Sequence, residues 1–275
     1  MAVSGFADSA TTVKVNGDAA DQRVEDFYHE DVSKNAPTQT KLETVTVNAT
    51  DLNPLKVAEK TRQTAVRPSS ESFSYDLDGN LEQDARWDYT YDAENRLSMM
   101  ETRWTIGTIS LPKELFKFRY DYMGRRVLKE EWVWDTSIPT PSWTKVRDTR
   151  YAYENWNLIA EIVTVQPGDN EHTNTYTWGL DLSGTLGGAG GIGGLLGIED
   201  GATSDVFVSM YDGNGNVTAM IDASDGSVAA GYEYSPFGEL LRATGSYALE
   251  NRYRFSTKYA DDESGLVYYG FRYYS

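Results

Sequence analysis

The chain has 275 residues, 40% of them apolar, with nineteen Tyr, nine Phe, seven Trp and no Cys; it is long enough for a substantial core, and its aromatic wealth favours half-buried pleated surfaces. The 25 basic and 42 acidic side chains leave a net charge of -17, which works against phosphate backbones and anionic membranes, so no nucleic-acid partner is expected. Without Cys there is no disulfide or thiolate chemistry. No stretch is long enough to span a bilayer, and MAVSGFADSATTVKVNG at the start lacks the basic and apolar regions of a cleaved signal.

Residues 1–70 are polar and rich in Thr, Ala and Asp, with Phe6, Phe27 and Tyr28 as their aromatics. Thr11 to Val15 and Thr44 to Asn48 alternate as short strands do, and Lys56 to Arg67 reads as a loop or a frayed helix. Pro68-Ser69-Ser70 marks a boundary, giving a polar β-type segment over 1–70 and a repeat region over 71–275.

From Phe73 onward a unit recurs in which an aromatic residue is followed by an acidic or small one, a turn with Gly or Asn, and then a strand. It appears as Tyr75-Asp76-Leu77-Asp78-Gly79-Asn80-Leu81, as Tyr91-Asp92-Ala93-Glu94-Asn95-Arg96-Leu97 and as Tyr120-Asp121-Tyr122-Met123-Gly124-Arg125-Arg126. It returns as Tyr211-Asp212-Gly213-Asn214-Gly215-Asn216-Val217 and, degenerately, as Tyr234-Ser235-Pro236-Phe237-Gly238-Glu239-Leu240. Asp can close an Asx turn on its own backbone, Gly or Asn accepts the left-handed conformation, and the Tyr is expected to anchor the strand by burying its ring. The spacing is irregular, which suits turns joining strands of variable length and not a helical solenoid. Between copies, Phe116, Phe118, Tyr120 and Tyr122 alternate with Lys117, Arg119 and Asp121, while Leu128, Trp132 and Trp134 repeat the same period, so the expected class is all-β.

The end, YRFSTKYADDESGLVYYGFRYYS, places two aromatic segments, Tyr253 to Phe255 and Val267 to Tyr274, around Asp261-Asp262-Glu263-Ser264-Gly265. Gly265 can supply a positive φ, so a hairpin is expected, with Leu266, Tyr268, Tyr269, Arg272, Tyr273 and Tyr274 on its second arm packed against Tyr232 to Phe237. The chain stops on a strand-like segment, and the polypeptide is expected to continue beyond it.

These segments, from YDLDGNLEQDARWDYTYDAENRLSMM through YDYMGRRV, WGLDLSGTLGGAGGIGGLL, YDGNGNV and GYEYSPFGELLRATG to YRFSTKYADDESGLVYYGFRYY, resemble the YD-repeat or Rhs-repeat family, in particular its repeat-associated core region. The resemblance covers residues 73–275 and follows the order of segments as well as their wording. It implies β-hairpins stacked into a strip that spirals into a hollow shell around a variable C-terminal toxin or effector. With so few repeats the shell is expected to be a curved, incompletely closed sheet with an exposed edge. In the family a motif with Asp-Pro and Gly follows the aromatic segment and is associated with autoproteolytic release; this sequence stops at Tyr274-Ser275, so no cleavage chemistry is expected within it. The partners implied are an effector domain outside this chain, further shell sequence and delivery machinery, and the location implied is secreted or cell-surface.

Other candidate sites are weaker. Gly188-Ala189-Gly190-Gly191-Ile192-Gly193 formally matches a dinucleotide fingerprint, but seven glycines between Gly187 and Gly197 would cripple the helix it needs, so a close-packed loop is expected. Asp76, Asp78 and Asn80, and likewise Asp212, Asn214 and Asn216, imitate half a calcium loop, yet Leu81 or Val217 replaces its Gly and Trp87 or Ala223 its bidentate Glu. His29 and His172 read as surface histidines, and Asp261, Asp262 and Glu263 as solvated turn residues. No metal, cofactor or catalytic residue is expected. Trp132, Trp134 and Trp143, in a stretch carrying Pro139 and Pro141, are the candidates for stacking on sugars if the chain is instead an adhesion or carbohydrate-binding module with glycans as partner. An autoproteolytic enzyme is a third, weaker reading.

Overall fold

The computed structural model describes residues 2–7, 11–20, 22–24, 27–31, 41–50, 57–66, 71–103 and 113–274, with side chains described at 7, 11–20, 44–50, 59–61, 71–103 and 113–274. Pro68-Ser69-Ser70 lies outside them, as does the side chain of His29. The chain divides into two compact units, Met1–Tyr89 with Glu101–Lys113, and Thr90–Met100 with Glu114–Ser275.

The first unit is made of short antiparallel sheets. Strands β1 (Ala2–Phe6), β4 (Gln22–Val24) and β5 (Phe27–Asp31) form one, and β2 (Thr12–Val15), β3 (Asp18–Ala19), β6 (Lys41–Thr50) and β7 (Val57–Val66) form another. Val13, Val15 and Val45 make the small core of the latter. Residues 57–66 are thus a strand paired along its whole length with β6, and not the loop or frayed helix their sequence suggests. The β-branched Val57, Thr61, Thr64 and Val66 suit that pairing. A meander of β8 (Ser74–Tyr75), β9 (Leu81–Gln83) and β10 (Trp87–Tyr91) follows, its Trp87 1% exposed.

In the second unit, β11 (Leu97–Thr102), β12 (Glu114–Tyr120), β13 (Arg126–Asp135), β14 (Ser142–Glu154), β15 (Asn157–Val165), β16 (Asn170–Trp178), β17 (Leu195–Glu199), β18 (Val206–Tyr211), β19 (Val217–Asp222), β20 (Val228–Tyr234) and β21 (Leu240–Thr244) lie side by side in sequence order. The fold is all-β, of stacked antiparallel hairpins, and the sheet does not close: β21 ends it as a free edge. Among the described residues the one helical element is the 3-10 turn Phe255–Thr257. It opens a terminal module in which β22 (Tyr259–Asp261), β23 (Leu266–Tyr268) and β24 (Tyr273–Tyr274) form a separate small sheet.

The repeat turns share one hydrogen-bond pattern. Asp76, Asp92, Asp121 and Asp212 each accept through Oδ1 from the backbone N–H two and four residues on. Oδ2 takes the side chain at the fourth position, Asn80, Arg96, Arg125 or Asn216. Ser235 performs the Oδ1 role through Oγ for Phe237 and Glu239. The residue three after the turn's first is left-handed each time, Gly79, Asn95, Gly124, Gly215 and Gly238, with φ between +59° and +89°. The carboxylates are therefore used up within their own turns, and the half-calcium-loop resemblance has its cause in turn geometry. At Gly215 a side chain is also barred by space, since a Cβ would lie 2.5 Å from Ile192 Cγ2.

A sixth copy was not evident from the sequence. Asp181 accepts from Ser183 N–H, its carbonyl takes Gly184 N–H, and Gly184 has φ +73°. Leu180 stands where the other copies have Tyr, which hides the unit.

The rings before the turns form a ladder across the sheet. The hydroxyl of Tyr120 donates to Leu97 O at 2.7 Å, Tyr153 to Arg126 O at 2.9 Å, Tyr211 to Leu195 O and Tyr234 to Val217 O at 2.8 Å, with Trp178 Nε1 donating to Leu158 O at 2.6 Å. Each acceptor lies at the start of the preceding strand, so in these five cases a strand is pinned to its predecessor. Register shifts at Tyr120, Tyr153, Trp178, Tyr211 and Tyr234 turn the rings toward those carbonyls. Tyr234→Phe will leave the Val217 carbonyl without this donor and lower stability by about 1–2 kcal/mol, readable as a lower urea midpoint with unchanged slope.

One expected anchor and one residue expected on the ring face of β12 behave otherwise. Tyr75 is 60% exposed, because the two-residue β8 is the outermost strand of its meander, and Tyr122 is 92% exposed, because β12 ends at Tyr120 and Tyr122 projects from the turn.

Candidate functional site

The terminal module is not the single hairpin that its sequence suggests. Tyr253 makes only an isolated bridge to Tyr259, and Phe255 belongs to the 3-10 turn. The hairpin runs from Tyr259–Asp261 to Leu266–Tyr268 across Gly265, with φ +78°. A second turn, closed by Tyr269 N–H to Arg272 O, then separates β23 from β24.

Its docking site is built on the sheet by β13. Register makes Arg126 and Lys129 face the module, where they are 1% and 4% exposed. Asp261, 3% exposed, receives Arg126 Nη1 at 2.6 Å, Arg126 Nη2 at 3.2 Å and Lys129 Nζ at 3.0 Å. Glu263 pairs with Lys129, and Glu131 lies 3.5 Å from the same ammonium. The Arg126 guanidinium also sits 4.7–5.6 Å from the ring centres of Phe118, Tyr151, Tyr259 and Tyr268. Arg126 N–H donates to the Tyr268 hydroxyl at 2.8 Å, and the hydroxyls of Tyr120 and Tyr273 are 3.0 Å apart. Burial alone would raise the Asp261 carboxyl, but the charges of Arg126 and Lys129 outweigh it and hold it down at about 2.

These observations correct the reading of Asp261 and Glu263 as solvated turn residues, while Asp262 remains exposed. Asp262 is also paired, with Arg254 at 2.6 and 2.8 Å and with Arg252 at 2.8 Å. Asp261 and Glu263 share Lys129, with Arg126 also on Asp261, while Asp262 turns to Arg252 and Arg254.

The module is strapped to two repeat turns as well. Ser256 N–H donates to Asn216 Oδ1, Thr257 Oγ1 to Gly215 O, and Gly193 N–H to Thr257 Oγ1, at 2.7–2.8 Å. The glycine-rich run is a series of turns with no helix opening at Gly193, and Asp181 Oδ2 accepts from Ala189 and Gly191 N–H. Gly193 in this run approaches Gly215, while Gly190, Gly191 and Gly193 take left-handed conformations. The contact with Tyr232 to Phe237 is narrower than expected. Tyr234 meets Phe255 at 5.8 Å between ring centres, and Tyr274 donates to Phe237 O, while Phe237, Tyr269 and Tyr274 stay exposed and Tyr268 and Tyr273 pack instead around Arg126.

The other candidates are dispersed. His172 lies half-buried on β16, and Trp134 and Trp143 face each other edge-on across the β13–β14 hairpin with ring centres 5.5 Å apart. Lys117 sits over Trp132 at 4.9 Å. Among the described residues no three His, Asp or Glu side chains converge on a metal-sized site, and no helix is long and apolar enough to cross a membrane. The cluster under the hairpin holds carboxylates matched to cations, which suits a lock between two layers.

No family model matches the chain. It is 28% identical over 207 residues to the tRNA3(Ser)-specific nuclease WapA of Bacillus spizizenii and to the tRNA(Glu)-specific nuclease WapA of Bacillus subtilis subsp. natto, taking in 75% of this chain and 7% of each relative. The chain thus spans under a tenth of the curated relatives it matches. Among solved structures, TcdB2-TccC3 aligns with a TM-score of 0.53 at 16% identity over 84% of this chain and 11% of that one. TcdB2-TccC3-Cdc42 aligns with a TM-score of 0.52 at 14% identity over 99% of this chain and 13% of that one. At such identities the likeness concerns the fold: hairpins stacked in an open β-layer.

Proposed function

We propose that this chain is a structural shell segment of an Rhs-type polymorphic toxin, secreted or displayed at the cell surface, that encapsulates and helps deliver a C-terminal effector. One observation carries the reading: the sheet of the second unit has, on the face away from the terminal module, an exposed apolar patch at β18 to β20. One face is covered by the terminal module. On the other, Val206, Val208 and Met210 of β18 are 38–44% exposed, with Ile221 opposite Val208 and Val228, 63% exposed, opposite Ile221. An exposed apolar patch on a sheet is suited to being covered, and an enclosed polypeptide would cover this one. In this reading residues 1–70 lead into the shell, 71–275 form it, and the turn residues from Tyr75 to Gly238 and the terminal residues from Tyr253 to Tyr274 are its structural joints.

The role is non-enzymatic. The curated relatives are named as nucleases, but the match takes in 7% of their length, and a net charge of -17 opposes binding to tRNA. The test is protection from protease within the full natural reading frame. The polypeptide following this chain is expected to resist limited proteolysis, and Val208→Asp with Met210→Asp to expose it; equal digestion in both sinks the proposal. The edge-on Trp134–Trp143 pair supports a second reading, a glycan-binding module, which glycan-array binding lost in Trp134→Ala would favour.

A further inference from the structure

Between the sheet and the terminal module, beside the docking lock and sharing Lys129, Arg252 and Tyr259 with it, lies a polar cavity of about 160 Å³. Glu161 of β15 lines it and is 2% exposed. Its Oε2 accepts from the Tyr176 hydroxyl and from Asn174 Nδ2 at 3.5 Å, whereas Oε1 is buried with no hydrogen-bond donor among the described residues. A buried carboxylate oxygen left without a donor is costly, so such a group points to something that completes it.

The charges around the cavity settle the sign of that ligand. Lys129 is held by Asp261 and Glu263, Arg252 by Asp262, and Arg147 lies opposite Glu131 in register. Beside these three cations and His172, the cavity is lined by four carboxylates, Glu131, Glu161, Asp200 and Glu250. The rings of Tyr176, Tyr247 and Tyr259 also line it, and carboxylate with aromatic faces is the chemistry that holds an organic cation.

We propose that this cavity binds an alkylguanidinium or alkylammonium group, its charge set against Glu161 Oε1 and its flanks against the tyrosine rings. At about 30 Å³ per water the space equals roughly five waters, which admits one cationic head with a few carbons and excludes a nucleotide. The same head group exists in free amines and in Arg or Lys side chains of a polypeptide.

Calorimetric titration of the full chain with agmatine, a free ligand, and with N-acetyl-arginine amide, a side chain between peptide groups, tests the assignment. Saturable binding of agmatine alone indicates free amines, and of both indicates that side chains enter too. Glu161→Gln is expected to weaken binding about tenfold or more, the loss of one charge-assisted contact. Glu250→Gln, at an exposed position where folding is not at stake, is expected to weaken it severalfold, and N-acetylglutamate should not bind. No saturable binding, unchanged affinity in Glu250→Gln or in a folded Glu161→Gln, or equal binding of N-acetylglutamate overturns the proposal.

Discussion

Asp261→Ala will lower the stability of the chain by about 3–5 kcal/mol, because Arg126 and Lys129 would remain buried without the carboxylate that both contact. That is a third or more of the margin of an ordinary domain. The loss should be asymmetric: Arg126→Met with Asp261→Leu, which removes both charges, is expected to be less harmful than the two single changes added together. A double-mutant cycle in urea measures the coupling. Amide exchange should speed first in 251–274, since the pair ties that module to β13. The acid limb gives an independent reading. Asp261 titrates at about 2 in the fold against 3.8 as a free side chain, so its contribution is complete above pH 3.8 and disappears as the pH falls toward 2. About 2 kcal/mol should vanish over that window in the natural chain and be missing from Asp261→Asn. A loss under about 1 kcal/mol in Asp261→Ala would mean that the hairpin is held by its rings alone.

How much of this was legible depends on how far each interaction reaches. The turns at Asp76, Asp92, Asp121 and Asp212 could be read because Oδ1 is satisfied two and four residues away. The tyrosine ladder could not, since its acceptors are backbone carbonyls such as Val217 O, which carry no residue identity. Only the recurrence of Tyr just before Asp hinted at it, and that hint failed at Tyr153, Trp178 and Leu180, where one member of the pair differs. Asp261 was misread because its partners lie 135 and 132 residues away. Arg125 goes to Asp121 in its own turn, while the adjacent Arg126 goes into the core, opposite Asp261. Glu161 gave no signal either, because a lone acid within Ile159–Val163 reads as the outward side of a strand. The aromatic composition, by contrast, announced both the β class and the kind of core.

That core sets the alkaline limit. The chain is expected to unfold cooperatively between pH 10 and 12, with the absorbance of tyrosinate rising together with the loss of the β circular-dichroism signal. Burial pushes the hydroxyls of Tyr151, Tyr176, Tyr253 and Tyr259 well above 10, and Tyr273 up to about 12 despite the nearby Arg126 charge. In the fold these groups keep protons that the unfolded chain gives up near pH 10, so their stabilisation is full below that value and is lost as the pH rises. Each removes about 1.4 kcal/mol per pH unit. Five together would exhaust a margin of about 10 kcal/mol within roughly two units. Tyr253→Phe and Tyr259→Phe, which cannot ionise, should therefore shift the alkaline midpoint upward relative to their neutral-pH stability. Tyrosinate absorbance completed well before any change in circular dichroism would place these rings in water, and a core of edge-to-face ring contacts such as Tyr253 with Tyr176 and Tyr259 could not be the layer that joins terminal module to sheet.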